Sequence, residues 1–199
     1  MRTIGMANNK ETQIMKKLLT FIGVALVAAE VMAGGKPIQL SLTPDIAAYA
    51  RSERIEGLAL SIWGENPQSA LAVGLVNGST GQSAGLSLGI LNYADTYKGL
   101  QWGLVNYAQQ DMLGWQGGFF LGVVGSVVNY TGGSMKGFQC GVVNYAGRLT
   151  GLQLGLVNYA EASDAGGQIG LVNLIPENQW FDGLPGELAP GMILVNWRF

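Results

Sequence analysis

The amino-acid sequence predicts an all-β fold built from a short repeated strand, and three observations carry this prediction. A unit of the form GLQxGLVNYA recurs along the chain, and its Asn returns at separations of 14, 15 or 23 residues. Glycine contributes 31 residues without a three-residue period, which excludes collagen. Charged residues make up 12% of the chain, against about 25% in a typical globular domain.

The composition also excludes several classes of function. A net charge of −2 without a basic run predicts no nucleic-acid partner. The chain contains no histidine, which removes the usual general base and a common metal ligand. Cys140 is the only cysteine, so neither an intramolecular disulfide nor a cysteine-based zinc site can form. We therefore expect a protein that is not an enzyme and holds no cofactor or metal.

The N-terminal 33 residues predict an export signal. Lys16 and Lys17 form a charged segment, Leu18 to Ala29 form an apolar stretch, and a Val-Met-Ala sequence ending at Ala33 supplies the small residues of a cleavage site. We expect cleavage after Ala33. The alternative, a membrane anchor, is disfavoured because the apolar run is shorter than the ~20 residues that a spanning helix needs.

The signal peptide divides the chain into two parts. Residues 1–14 resemble neither a domain nor a signal, so Met15 is a candidate start and residues 1–14 a candidate extension of it. Residues 34–199 are predicted to form a single β-repeat domain.

Two strands and a short helix are predicted ahead of the regular repeats. Residues 37–42 begin the series of strands, and residues 56–64 (EGLALSIWG) are an early relative of the repeat. Between them, Thr43 as N-cap and Pro44 at the first helical position predict a helix over residues 46–54.

One copy of the repeat, residues 149–160, shows period-2 alternation and therefore predicts a strand. Leu152, Leu154 and Leu156 share one face with Asn158, whereas Gly and Gln occupy the centre of the other face. A helix is disfavoured because each glycine would cost about 1 kcal/mol relative to alanine. An Asn at a strand end bonds the backbone or stacks on neighbouring copies, so we interpret the repeated Asn residues as structural. They are Asn77, Asn92, Asn106, Asn129, Asn144, Asn158, Asn173 and Asn196.

Two architectures fit this repeat. The first is an antiparallel up-and-down β-barrel or meander of about ten strands, because a 14-residue period leaves the 9–11 residues of a tilted transmembrane strand plus a hairpin turn. Its Leu face would meet membrane lipid, and Gly and Gln would fill the interior. The second is a β-solenoid, in which stacked coils align the Asn residues into a ladder.

The chain from Pro37 to Phe199 resembles a family of bacterial surface-repeat proteins with serial GLQxGLVN units. The resemblance rests on PIQLSL at 37–42, GLALSIWG at 57–64 and the repeat copies. It implies an exported, surface-associated protein and no catalytic residues. This chain departs from the pattern in its two 23-residue Asn separations and its Pro-rich segment 176–190.

The aromatic residues suggest where the molecule meets its surroundings. The repeated Tyr residues are interpreted as an aromatic belt near strand ends. The terminal Phe199, on an alternating apolar strand, resembles the C-terminal signal of outer-membrane barrels. Loops often carry function, so the longest irregular stretch is the predicted interaction loop. Its candidate residues are Glu177, Trp180, Phe181, Asp182 and Glu187.

These observations lead to one functional expectation with one alternative. The first is a non-catalytic structural protein of the outer membrane or cell surface, with membrane lipid as its partner. The alternative is a soluble secreted or periplasmic β-solenoid that acts as a binding or adhesion module.

Overall fold

The computed structural model describes residues 35–120 and 123–199. The predicted signal peptide, its cleavage site after Ala33 and the candidate start at Met15 lie outside the described residues. Across the described ranges, no helix is long and apolar enough to cross a membrane.

The described residues contain twelve strands. They are β1 (Lys36–Thr43), β2 (Ile46–Ala47), β3 (Ile55–Asn66), β4 (Ser69–Leu88), β5 (Leu91–Trp102), β6 (Val105–Ala108), β7 (Met112–Gly117), β8 (Phe119–Phe120), β9 (Val123–Val124), β10 (Ser126–Leu154), β11 (Val157–Leu174) and β12 (Gly191–Arg198). The main sheet runs β12-β11-β10-β6-β5-β4-β3-β1-β2, with β7 paired to both β10 and β5. Strands β8 and β9 form a separate antiparallel hairpin.

Successive repeats stack in parallel, with equivalent residues side by side. Asn144 lies opposite Asn158, and Tyr145 lies opposite Tyr159. The same pairing of like with like joins β4 to β5 and β5 to β6. Each repeat is therefore one coil of a β-solenoid. The all-β prediction and its solenoid alternative are confirmed, whereas the antiparallel pairing expected for a barrel is not what joins the repeats.

A corner lies near the middle of each repeat, and at residues 89–90, 103–104 and 155–156 it breaks the strand, so the prediction of one continuous strand is wrong for these copies. In the copy at 149–160, Gln153 is buried, Leu156 and Val157 are both exposed, and Asn158 is buried again. Two consecutive outward residues reverse the alternation at the bend beside Gly155. Asn158 consequently points inward, away from the side of Leu154 with which the sequence pattern had grouped it.

Glycine at the start of the Gln strands, at positions 99, 114, 137 and 151, is required by the close approach of neighbouring coils. Gly137 has a φ of +136°, and a Cβ placed there would lie 2.0 Å from the carbonyl oxygen of Gly114 in the adjacent coil. The same contact recurs at Gly151, where a Cβ would lie 2.0 Å from the oxygen of Gly137. Only glycine fits both the backbone conformation and the space.

The interior is largely polar and is ordered by two ladders of side-chain amides. In the Asn ladder, each Nδ2 donates to the Oδ1 of the next coil at 2.8–3.0 Å, from Asn77 to Asn173. In the Gln ladder, each Nε2 donates to the preceding coil at 2.8–2.9 Å, from Gln168 back to Gln101. The donors therefore run in opposite directions along the axis. The two ends of the Gln ladder, Gln101 Nε2 and Gln168 Oε1, lack hydrogen-bond partners among the described residues.

A narrow apolar column completes the interior beside the amide ladders. Tyr97, Met112, Met135 and Leu149 are fully buried in successive coils. Small side chains occupy the position two residues after most of the ladder Asn residues, and four of them are alanines, Ala94, Ala108, Ala146 and Ala160; the buried Ile175 takes this position after Asn173, in the last coil.

The N-terminal end of the solenoid is covered by a different arrangement from the one predicted. Strand β1 pairs in parallel with β3, and the short β2 pairs antiparallel with β1. The predicted helix over residues 46–54 is wrong, since this segment holds β2 and turns. Thr43 nevertheless makes a capping contact, because its Oγ1 accepts a hydrogen bond from the Ile46 amide at 3.1 Å. A turn, not a helix, is what this contact stabilises.

The two 23-residue separations have different structural causes. Between Asn106 and Asn129 the coil continues in register through β7, and the β8–β9 hairpin follows it. Residues 112–117 of this interval form a regular strand of the coil and are therefore not an insertion. After Asn173 the chain reverses, and β12 runs antiparallel to β11 with Asn196 opposite Gln168. Asn196 therefore belongs to a terminal cap and not to the Asn ladder.

Candidate binding surface

The outward side chains of the repeat strands are apolar on both sides of the corner. In the coil at 151–159, Leu154 is 39% exposed, Leu156 51% and Val157 36%. In the repeat segments, the polar side chains other than Tyr are the buried Asn, Gln, Ser87 and Ser126. We call the outward side chains of these segments the apolar wedge; the segments are 70–78, 85–93, 99–107, 114–118, 126–130, 137–145, 151–159 and 167–174.

The crest of the apolar wedge is the row of residues at the corner of each coil. Its exposed members include Leu75, Ile90, Leu156 and Leu171, which are 51–59% exposed. One side of the wedge, beside the Gln strands, carries an edge-to-face aromatic contact between Trp102 and Trp115, with ring centroids 5.5 Å apart.

Charged side chains are confined to the opposite edge of the coils. Within residues 69–175 they are Asp95, Lys98, Asp111, Lys136, Arg148, Glu161 and Asp164. All seven lie in the segments that lead from the second residue after each Asn (Ala, or Thr131 in one coil) to the Gly that opens the next Gln strand. We call this row the charged edge.

Contacts within the charged edge are local and solvent-exposed. Arg148 pairs with Asp164 in the next coil at 2.6 Å. Asp111 Oδ1 accepts a hydrogen bond from the Ser134 amide at 2.8 Å. Lys98 and Lys136 line a shallow groove on this edge. Exposed pairs of this kind contribute little to stability. Their position marks the side of the molecule that faces water.

A stack of tyrosines marks the boundary between the apolar wedge and the charged edge. The rings of Tyr107, Tyr130, Tyr145 and Tyr159 follow one another with centroids 4.7–5.5 Å apart and planes within 7°. The Tyr145 hydroxyl donates a hydrogen bond to Glu161 of the charged edge. This bond, followed by a smaller effect of burial, raises the pKa of Tyr145 to about 12.

Tyr93 occupies the same row but has different partners. Its ring passes over Gly78, and its hydroxyl donates to Glu65 and accepts from the Trp63 indole at 3.1 Å. Burial and the bond to Glu65 together raise the pKa of Tyr93 to about 12. The row predicted as an aromatic belt is therefore a continuous stack in its later coils only.

The predicted interaction loop covers the C-terminal end of the solenoid, where its residues do not converge on one site. Glu187 forms an ion pair with Arg198, and Glu177 accepts a hydrogen bond from the Ser163 amide at 3.3 Å. Trp180 and Phe181 are 59% and 53% exposed, with ring centroids 6.0 Å apart.

Of the remaining predicted residues, Asn196 is engaged in the cap, together with the neighbouring Asn178. Asp182, which follows the two aromatic residues in the sequence, is exposed. Asn196 Nδ2 donates to the Ala189 carbonyl at 2.8 Å, and Asn178 Nδ2 donates to the Trp197 carbonyl at 2.9 Å. Two of the three carboxylates, Glu177 and Glu187, thus hold the cap in place.

Sequence reasoning missed the Gln ladder and the confinement of charge to one edge. Four Gln residues of the ladder lie five residues before an Asn, a spacing that is visible in the sequence, and Gln116 occupies the equivalent place in its own coil. The four are Gln101, Gln139, Gln153 and Gln168. The charges recur within a few residues after each Ala. Aligning polar residues in the same way as the Asn residues would have found both features.

No group of three His, Cys, Asp or Glu side chains that could hold a metal ion occurs within residues 35–120 and 123–199. No family model, curated protein or solved structure matches this chain.

Proposed function

We propose that this protein is an exported, non-catalytic β-solenoid that acts as a binding or adhesion module through its apolar wedge. The observation that carries the proposal is the polarity of the coils. Asn and Gln point inward and Leu, Ile, Val and aromatic residues point outward, the reverse of the usual distribution.

Large exposed apolar patches on a folded protein mark sites of interaction. Here the patch is repeated by every coil, and it is mounted on a scaffold whose ladders fix the position of each row. Such a surface is suited to contact over its whole length and not to recognition of a single small molecule. This supports a module that adheres, in preference to one that carries out chemistry.

Export is supported by the sequence of the N-terminal segment and by the surface-repeat resemblance. We propose the outer membrane or cell surface as the location, with the periplasm or the medium as the alternative. The titratable side chains support a non-catalytic role, because Glu177 and Glu187 are engaged in the cap and the charged edge lies in open solvent.

Export is tested by expressing the full chain in a Gram-negative host, fractionating the cells and sequencing the N-terminus of the product. We expect a product that begins at Gly34 and is recovered outside the cytoplasm. A variant with Lys16→Glu and Lys17→Glu should remain uncleaved in the cytoplasm. Recovery of the unmodified chain in the cytoplasm, with residues 1–33 intact, would overturn the proposed export.

Adhesion is tested on cells that produce the protein, by their retention on polystyrene. Leu156→Glu with Leu171→Glu places two charges on the crest, while Gln109→Glu with Gln110→Glu places two charges on the charged side of the coils. We expect the crest variant to lose retention and the matched control to keep it. Equal retention of both variants at equal surface amounts would contradict a role for the wedge.

A further inference from the structure

The two sides of the apolar wedge face away from each other. Gln153 and Asn158 lie on the two strands that meet at one corner, and both side chains point into the same interior. Gln153 Nε2 reaches the backbone carbonyl of Tyr159 at 3.2 Å, across that interior. The outward residues Leu154 and Val157 therefore leave the coil on different sides. A rigid partner with a flat surface covers one of these sides and leaves the other exposed.

We propose that the occupant of the apolar wedge is a lipid bilayer, with the solenoid lying along the membrane surface. The crest enters the acyl chains, and the charged edge remains in water. This inference rests on the proposed function and names its partner. A fluid apolar phase, unlike a flat rigid partner, closes around both sides of a convex wedge at once.

The dimensions of the wedge fit one leaflet of a bilayer. Three residues separate the crest at Leu156 from Tyr159, which corresponds to about 10 Å at the rise of a β-strand. Interfacial segments bury their apolar side about 5–10 Å into the boundary of headgroups and acyl chains. The six steps from Asn77 to Asn173 correspond to roughly 29 Å of solenoid axis at the usual strand spacing. The wedge is thus long and shallow, as a surface-lying element requires.

Polar groups of the coils do not oppose insertion. Backbone groups of the strands pair with the neighbouring coils in parallel ladders, so they need no water at the sides. The amides of Asn144 and Asn158 are paired within the interior. A β-structure is costly in lipid where its polar groups are unpaired. The coils pair their backbone groups with one another and keep the side-chain amides in the interior.

The boundary rows also match a membrane interface. The tyrosine stack lies between the crest and the charged edge, and the Tyr145 hydroxyl bonds to Glu161 on the aqueous side. Aromatic residues with one polar end favour this depth in membrane proteins. The charged edge carries both signs, with Arg148 bonded to Asp164, so a neutral membrane suffices for docking.

The inference is tested on the full chain with vesicles of phosphatidylethanolamine and phosphatidylglycerol. In a Cys140→Ser background, a nitrobenzoxadiazole label is attached to Leu156→Cys on the crest or to Gln110→Cys on the charged side. Each labelled protein is first checked for the melting temperature of the unlabelled chain. Leu171→Cys is the second crest position, used if Leu156→Cys alters the fold.

We expect both labelled proteins to float with the vesicles. The crest label should shift to shorter wavelength and be quenched severalfold by brominated acyl chains, while the label at 110 should change little. Because the two labels report depth, attachment through the N-terminal apolar segment alone leaves both unquenched and overturns the inference. Failure to float overturns it as well.

A second copy of the chain is the competing occupant. In that case the emission of the crest label shifts to shorter wavelength without vesicles. The shift grows with protein concentration, and the protein has a doubled mass in solution. This result would overturn the lipid inference. Failure of any of these tests leaves the proposed export and adhesion standing, because fractionation and polystyrene retention measure them independently.

Discussion

Asn144 donates a hydrogen bond from its side-chain amide to the side-chain oxygen of Asn158 at 2.8 Å, although the two residues are 14 positions apart. Asn144 also accepts the equivalent bond from Asn129 at 2.8 Å and donates to the Leu154 carbonyl at 3.0 Å. One buried side chain thus joins three successive coils and fixes their register.

Asn144→Ala should be strongly destabilising, because it leaves Asn129 Nδ2 and Asn158 Oδ1 buried without their ladder partner. Each unsatisfied group costs about 1–3 kcal/mol, so we expect a loss of roughly 2–6 kcal/mol in the free energy of unfolding. Chemical denaturation followed by circular dichroism measures the loss. The neighbouring outward substitution Val143→Ala is the control and should cost far less. Equal effects of the two would contradict the ladder as a main source of stability.

Gly137→Ala should prevent close stacking of the coils. Its φ of +136° disfavours any side chain, and the new Cβ would lie 2.0 Å from the Gly114 oxygen. We expect a destabilisation of more than about 2 kcal/mol. Gly167→Ala is a matched control, since its Cβ would meet only Leu152 at 3.6 Å. Thermal unfolding of the two variants should separate them clearly; coincident melting curves would mean that the coils can move apart at little cost.

The bond between Tyr145 and Glu161 predicts a dependence of stability on alkaline pH. The pKa of Tyr145 is raised from 10.0 to about 12 in the folded chain, so folding favours the protonated phenol. This contribution is complete below pH 10 and is lost as the pH rises towards 12. Melting temperatures between pH 9 and pH 12 should fall less steeply for Tyr145→Phe than for the natural chain.

Glu161→Gln provides the complementary measurement for this pair. Removing the carboxylate should bring the pKa of Tyr145 back towards 10.0, because the bond to Glu161 is the largest cause of the shift. Ultraviolet absorbance of tyrosinate during alkaline titration reports the change. An unchanged titration curve would show that this hydrogen bond does not persist in solution.

Arg198→Met should loosen the C-terminal cap without disturbing the coils. The Arg198–Glu187 pair is partly buried, with side chains 30% and 13% exposed, and it fastens β12 to the loop that precedes it. We expect faster amide hydrogen exchange in Gly191–Arg198 and unchanged exchange at Asn144 and Asn158. Arg148→Met, at the more exposed pair with Asp164, should leave exchange in the cap unaltered. Uniform exchange across all three proteins would argue against the pair as a fastening of the cap.

Much of the fold follows from local features of the repeat. Period-2 alternation identifies strands, and the regular return of Asn identifies repeating units, because both depend on neighbours in sequence. The same pattern is compatible with antiparallel hairpins and with parallel coils. The sequence pattern does not distinguish the two arrangements. Parallel coils place Asn144 beside Asn158, whereas antiparallel hairpins separate the two residues, and this difference exists only in the tertiary structure.

The candidate surface was predicted only in part. An outward Leu row and an inward Gln row were expected, and in the coil at 149–160 Leu154 does lie outward and Gln153 inward. The inward position of Asn158 was not expected, because a bend beside Gly155 reverses the alternation. That reversal depends on the close approach of Gly155 to the Gly141 oxygen, where a Cβ would lie 2.2 Å away, and strand periodicity does not reveal such a contact.

The primary structure alone establishes a glycine-rich, weakly charged chain of repeated strands, because composition and period need no knowledge of contacts. Tertiary structure decides that these strands coil in parallel, that the amides of Asn and Gln lie inside, and that Leu156 forms a crest opposite Arg148. The physical reason is that inward and outward have no meaning for an isolated strand. They become defined only when neighbouring coils pair their amides and leave the apolar side chains outside.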